Sequence, residues 1–104
     1  MSVHFVYLTA KDRKSALKLA RQLVKEKYLA CANIIDGATS VYHWQGKVEE
    51  SAECLIIGKT TKPKLAGLIR RAKALHSYDC PCVVAIPIAA GNKDYLKWVE
   101  KSLV

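Results

Sequence analysis

The apolar positions change period along the chain, and the changes mark its elements. Residues 3–9 form an apolar and β-branched run, the pattern of a buried strand. Ala16, Leu17, Ala20, Leu23 and Val24 then recur at helical spacing behind Asp12, which can cap a helix. Strand character returns over residues 33–47. Gln45-Gly46 predicts a tight turn there, because glycine accepts positive φ. Asp36-Gly37 predicts a bulge or bend within this arm. A second arm follows over residues 48–60. Leu55, Ile56 and Ile57 make it apolar on both faces, which places its C-terminal half in the middle of a sheet. Thr61 with Pro63 opens a second helix whose apolar face is Leu65, Leu68, Ile69, Ala72 and Leu75. Residues 76–81 form a loop and residues 83–88 another strand. Gly91-Asn92 opens a last helix containing Tyr95, Leu96, Val99 and Leu103.

The order β-α-β-β-α-β with a terminal helix predicts a ferredoxin-like α+β sandwich, one domain over residues 1–104, with both internal helices on one sheet face. Each arm of the central hairpin is about twice the usual ~5–6 residues. A chain this small cannot shelter such arms, and their edges would offer unpaired backbone groups. Apolar residues on the sheet face opposite the helices add to that exposure. An oligomer built around the hairpin is expected.

Composition narrows the setting. No apolar run approaches the ~18 residues of a spanning helix, so no membrane partner is expected. Residues 1–7 lack a basic leader and a small-residue cleavage site, and a cytoplasmic location follows as the expectation. Cys31, Cys54, Cys80 and Cys82 are expected as buried free thiols, Cys31 and Cys54 behaving as small hydrophobes. The formal net charge is +8. Lys11, Lys14, Lys18, Arg21 and Lys25 form a basic stripe on the first helix, which could contact phosphates. No aromatic interleaving or groove-reading motif accompanies it, so nucleic acid is not the expected partner.

The motifs exclude more than they assign. Gly58-Lys59-Thr60 imitates the end of a phosphate-binding loop, but Glu53 stands where the upstream glycine belongs and the topology is wrong. Alternation puts Glu49 and Glu53 on one strand face and Glu50 on the other, and a solvated face accounts for them. His4 and His43 have no evident co-ligands. Nothing resembles a nucleophile-base set, and an enzyme is not expected.

Leu29-Ala30-Cys31-Ala32-Asn33-Ile34-Ile35, Ser40-Val41-Tyr42-His43-Trp44-Gln45-Gly46-Lys47, Lys59-Thr60-Thr61, His76-Ser77-Tyr78-Asp79 with Pro81, and Gly91-Asn92-Lys93-Asp94-Tyr95-Leu96-Lys97-Trp98 follow one another in the order of a known pattern. Together they resemble the CutA family of divalent-cation tolerance proteins. The resemblance implies a ferredoxin-like homotrimer, an architecture similar to PII-type signalling proteins, and a link to tolerance of divalent metals, chiefly copper. Copper ligands proposed for some members are a cysteine near the end of the first strand and two adjacent histidines. Carried over, these positions fall at Leu8, Leu75 and His76, so only His76 keeps a ligand.

Two metal candidates result. The imidazole of His76 suits copper or zinc, the alternative being a histidine that packs or hydrogen-bonds beside Tyr78. Cys80-Pro81-Cys82 could grip Cu(I) between two thiolates, the alternative being two unconnected thiols at a strand entry. The aromatics Tyr42, Trp44, Tyr78, Tyr95 and Trp98 form a candidate intersubunit cleft with Lys59 and Asp79 as polar anchors, or else simple interface packing. The expected function is metal tolerance as a homotrimer, with copper or another divalent metal weakly bound. The alternative is a PII-like module holding a small anion in the cleft.

Overall fold

The computed structural model describes residues 2–104; Met1, the first residue of the strand-like N-terminal stretch, lies outside them. The elements are β1 (Val3–Ala10), α1 (Arg13–Lys25), β2 (Cys31–Trp44), β3 (Lys47–Thr61), a 3-10 turn (Lys62–Lys64), α2 (Leu65–Leu75), β4 (Val83–Pro87) and α3 (Lys93–Ser102). The four strands form one sheet in the order β2-β3-β1-β4, with every neighbouring pair antiparallel. This is the ferredoxin-like α+β sandwich that the element order predicts.

Strand alternation decides the two faces. Val6, Leu8 and Ala10 of β1 and Cys54 and Ile56 of β3 point to the side covered by Ala16, Leu19, Ala20 and Leu23 of α1 and Leu68 and Ala72 of α2. Each large side chain fully buried there contributes roughly 1.5–3 kcal/mol. The i, i+3, i+4, i+7 set on α1 therefore includes Leu19, and Val24 is 37 % exposed at the margin. On α2 the packed stripe is narrower than the apolar one: Ile69 and Leu75 are 44 % and 39 % exposed.

Local signals hold each element in place. The Asp12 carboxylate accepts from the Ser15 backbone N–H at 2.8 Å, and that bond holds its carboxyl below the usual carboxylate range. At the other end of α1, Lys27 takes φ 62°, and the N–H groups of Lys27 and Tyr28 donate to the carbonyls of Val24 and Leu23. That pairing closes a helix with a left-handed residue. The hairpin turns at Gln45 (φ 49°) and Gly46 (φ 78°), as a two-residue turn with positive φ at both central positions requires. The register shift between Ile35 and Ala38, with Gly37 at φ 85°, is the predicted bulge.

The hairpin outruns its own sheet. Among the described residues β1 pairs with β3 only over residues 54–61, so residues 47–53 have no strand on that side, and β2 is an edge strand throughout. The molecule is drawn out to 44 × 25 × 23 Å as a result. Behind the sheet, α3 covers one end of the second face, where Val3, Val99 and Leu103 are buried together. The rest of that face is open. Val84 and Ile86 of β4 and Ile35 of β2 are 54 %, 61 % and 45 % exposed on it.

Candidate functional site

The open face carries a cavity of about 540 Å³. Register explains which residues line it. Ala38, Ser40, Tyr42 and Trp44 alternate onto the same side of the hairpin as Glu53, opposite them on β3, and Tyr7 and Thr9 of β1 continue that side. The loop after α2 closes over them with Tyr78, Asp79, Cys80 and Cys82. Four of the seven predicted cleft residues, Tyr42, Trp44, Tyr78 and Asp79, are thus brought together. So are both thiols of the Cys80-Pro81-Cys82 motif.

Tyr78 is the hinge between loop and hairpin. Its hydroxyl donates to Glu53 Oε2 at 2.9 Å. Burial first, and then this carboxylate, push the phenol up to about 12. Burial and the Glu53 charge also push the Cys82 thiol up, which keeps it protonated. The Tyr42 hydroxyl lies 3.2 Å from Ser51 Oγ across the hairpin.

His76 is placed differently. Its Nε2 lies 2.7 Å from the Thr9 carbonyl oxygen, and its Nδ1 accepts from the Tyr78 backbone N–H at 3.0 Å. The ring packs against Tyr78 in a tilted arrangement, with centroids 4.6 Å apart. Both nitrogens are engaged, so the imidazole positions the loop. It lines a second cavity, on the helix side, rather than the one holding the two thiols. Among the described residues no three His, Cys, Asp or Glu side chains gather where they could hold a metal ion.

The remaining predicted cleft residues form a separate cluster where α3 meets β3. Asn92 caps that helix by accepting from the Asp94 N–H, and the first turn then carries Tyr95 to within 3.4 Å of Cys31 Sγ. This contact and burial raise the Tyr95 phenol to about 12. Lys59 Nζ lies 5.9 Å from the centre of the Tyr95 ring, and Trp98 lies 5.6 Å from it, centroid to centroid. Lys59 is six residues along β3 from Glu53, roughly 20 Å at the strand rise of ~3.3 Å per residue. One copy of the chain therefore splits the predicted cleft in two.

The thiols differ from one expectation. Cys54 is buried, Cys31 and Cys82 are half-buried and Cys80 is exposed, all four free. The reason is position: Cys54 alone points to the helix-covered face of a central strand. Glu53, Tyr7, Thr9, Ser40 and His43 also line the open-face cavity and were not among the predicted site residues. Alternation from Tyr42 and Trp44 could have found Ser40 and, through the hairpin register, Glu53. The loop that makes them a cavity is non-local and has no such signal.

A family model described as the CutA1 divalent ion tolerance protein matches residues 4–102. A divalent-cation tolerance protein CutA from Thermus thermophilus is 44 % identical over 97 residues, covering 93 % of this chain and 94 % of that one. A chloroplastic CutA from Arabidopsis thaliana is also 44 % identical over 97 residues; the match covers 93 % of this chain but 53 % of that protein. Among solved structures, the periplasmic divalent cation tolerance protein CutA from Archaeoglobus fulgidus superposes with a TM-score of 0.94 at 37 % identity, covering 98 % of this chain and 99 % of the other. No helix among the described residues is long and apolar enough to cross a membrane.

Proposed function

This chain belongs to the CutA1 divalent ion tolerance protein family, and from that premise we propose that it serves divalent-metal tolerance as a one-domain homotrimer and not as an enzyme. One observation carries the assembly: an apolar sheet face left open beside hairpin arms of 14 and 15 residues that their own subunit pairs only in part. Unpaired strand edges of this length ask for another strand, and copies of the chain supply it. Light scattering on the purified protein tests the assembly. A mass of three chains is expected, and a monomer at micromolar concentration overturns it.

The metal reading rests on the cavity that holds Cys80 and Cys82 beside Tyr42, Trp44 and Asp79. Two thiolates suit Cu(I) better than any other group on the open face. The raised Cys82 thiol must lose its proton to bind, so affinity is weak and increases with pH. Copper titrated into wild type, His76→Ala and Cys82→Ser protein tests this. Uptake of Cu(I) is expected to fall in Cys82→Ser and persist in His76→Ala; equal uptake by all three removes the thiol site. Free thiols at all four cysteines suit a reducing compartment, and the cytoplasm is the assignment they support.

A second reading is a PII-like module for a small anion. The two aromatic clusters lie on the same open face, one with the cation Lys59, and copies packed on that face would juxtapose the cluster of one with the cluster of another. A thermal-shift screen of nucleotides, phosphates and carboxylates tests it, and a flat response counts against it.

A further inference from the structure

Charge is segregated between the two layers of this molecule. Residues 11–27 and 62–76, which contain α1 and α2, carry twelve of the seventeen Lys and Arg residues and two of the nine Asp and Glu residues. Both acids are already engaged. Asp12 caps α1, and Glu26 accepts from Arg71 Nε at 2.8 Å and Nη2 at 3.0 Å. The rest of the chain has more acidic than basic residues. The helix layer is therefore strongly and almost uniformly positive, and it lies on the side away from the open sheet face.

A cavity of about 400 Å³ opens in that layer between α1 and the C-terminal end of α2. Lys11 and Lys18 reach it from one wall, with the Ser15 side chain between them; Ser77 faces them from the loop after α2. Neither lysine has an ion-pair partner among the described residues. Among the described residues no Asp or Glu lines the cavity, and the nearby Asp12 is engaged by the Ser15 backbone and side chain. Leu19 and Leu75 give it an apolar wall, which is why Leu75 is 39 % exposed instead of packed in the core. Concave shape, an apolar wall and a few convergent polar groups are the marks of a small-molecule site, and the volume is in the usual ~300–1,000 Å³ range.

We propose that this cavity binds a small organic phosphate, with the phosphate held between Lys11, Lys18 and the Ser77 hydroxyl and the organic part against Leu19 and Leu75. Two unpaired ammonium groups next to the Ser77 hydroxyl match a doubly charged oxyanion. A free inorganic ion leaves the leucine wall wet, and a neutral aromatic leaves both cations unpaired. The site is independent of the thiol cavity and of the sheet face assigned to assembly.

Calorimetric titration of the purified protein with phenyl phosphate, inorganic phosphate and phenol at matched ionic strength tests the site. Saturable binding of phenyl phosphate is expected, tighter than inorganic phosphate, with no uptake of phenol. The double variant Lys11→Gln/Lys18→Gln is expected to lose roughly tenfold or more in affinity, at least the scale of one charge-assisted contact. Lys14→Gln/Lys25→Gln removes the same charge from α1 outside the cavity and is expected to bind as wild type. Absence of saturable binding, equal affinity for inorganic phosphate, or equal losses in the two variants would each overturn the proposal, the last by showing only a diffuse positive field. Backbone amide shifts at Ser15 and Ser77 on adding phenyl phosphate are the second readout; shifts confined to other residues overturn the location.

Discussion

At the scale of single residues, this protein uses its polar groups to fasten loops to strands. His76 and Tyr78 are the clearest pair: one binds the Thr9 carbonyl, the other the Glu53 carboxylate, and each ring packs on the other. Thr60 does the same for the turn before β2, its hydroxyl donating to the Tyr28 carbonyl at 2.7 Å. The phenols of Tyr78 and Tyr95 make this measurable. Both are raised to about 12, from an ordinary ~10. The folded state favours the protonated phenol, so the stability it confers is complete below pH ~10 and is lost as pH rises through about 12. Ultraviolet titration of phenolate is expected to show Tyr78 and Tyr95 ionising late. In Tyr78→Phe one late tyrosine disappears, and the fall in stability above pH ~10 becomes shallower. Unchanged late ionisation in that variant would contradict the buried placement of Tyr78 beside Glu53.

Elements follow from close approach as much as from pattern. Leu29 covers β3 at Gly58, and a Cβ built there would meet both the Cys31 carbonyl oxygen and the Leu29 side chain at 2.9 Å. The backbone oxygen cannot yield without moving β2. Gly58→Ala is expected to cost roughly 1–3 kcal/mol, as overpacking does, and denaturant melting checks it; an unchanged midpoint would mean that β2 is free to move. The bulge at Asp36-Gly37 and the turn at Gln45-Gly46 were legible beforehand, because backbone conformations with positive φ leave glycine in the sequence. Leu19, absent from the stripe expected on α1, is buried, and Leu75, part of the stripe expected on α2, is 39 % exposed. Helical period marks which residues share a stripe, and only a neighbouring helix decides how much of the stripe is covered.

For the molecule as a whole, the two sheet faces have different fates. One is filled by α1 and α2; the other keeps Ile35, Val84 and Ile86 in solvent in a single copy. Monomeric proteins rarely leave contiguous apolar area of this kind exposed. Ile86 sits on the short strand β4, distant from the hairpin turn, so charge there tests the face and not the fold. Ile86→Glu is expected to shift the proposed trimer toward monomer in light scattering while leaving helical and strand content by circular dichroism unchanged. An undiminished trimer would place the interface elsewhere.

By itself the sequence determined the element order, the long hairpin with its bulge and turn, the ferredoxin-like sandwich and, through five short motifs in order, the family. All of these depend on local periodicity, backbone stereochemistry and residue identity, which the chain writes along its length. Only the tertiary structure decided that Tyr42, Trp44, Tyr78 and Asp79 share a cavity with Cys80 and Cys82, while Lys59, Cys31 and Trp98 gather around Tyr95 of α3. It alone occupied both nitrogens of His76 and opened a basic cavity between two helices. Those outcomes depend on which distant segments meet, and strand register and helix docking, not spacing along the chain, set those meetings.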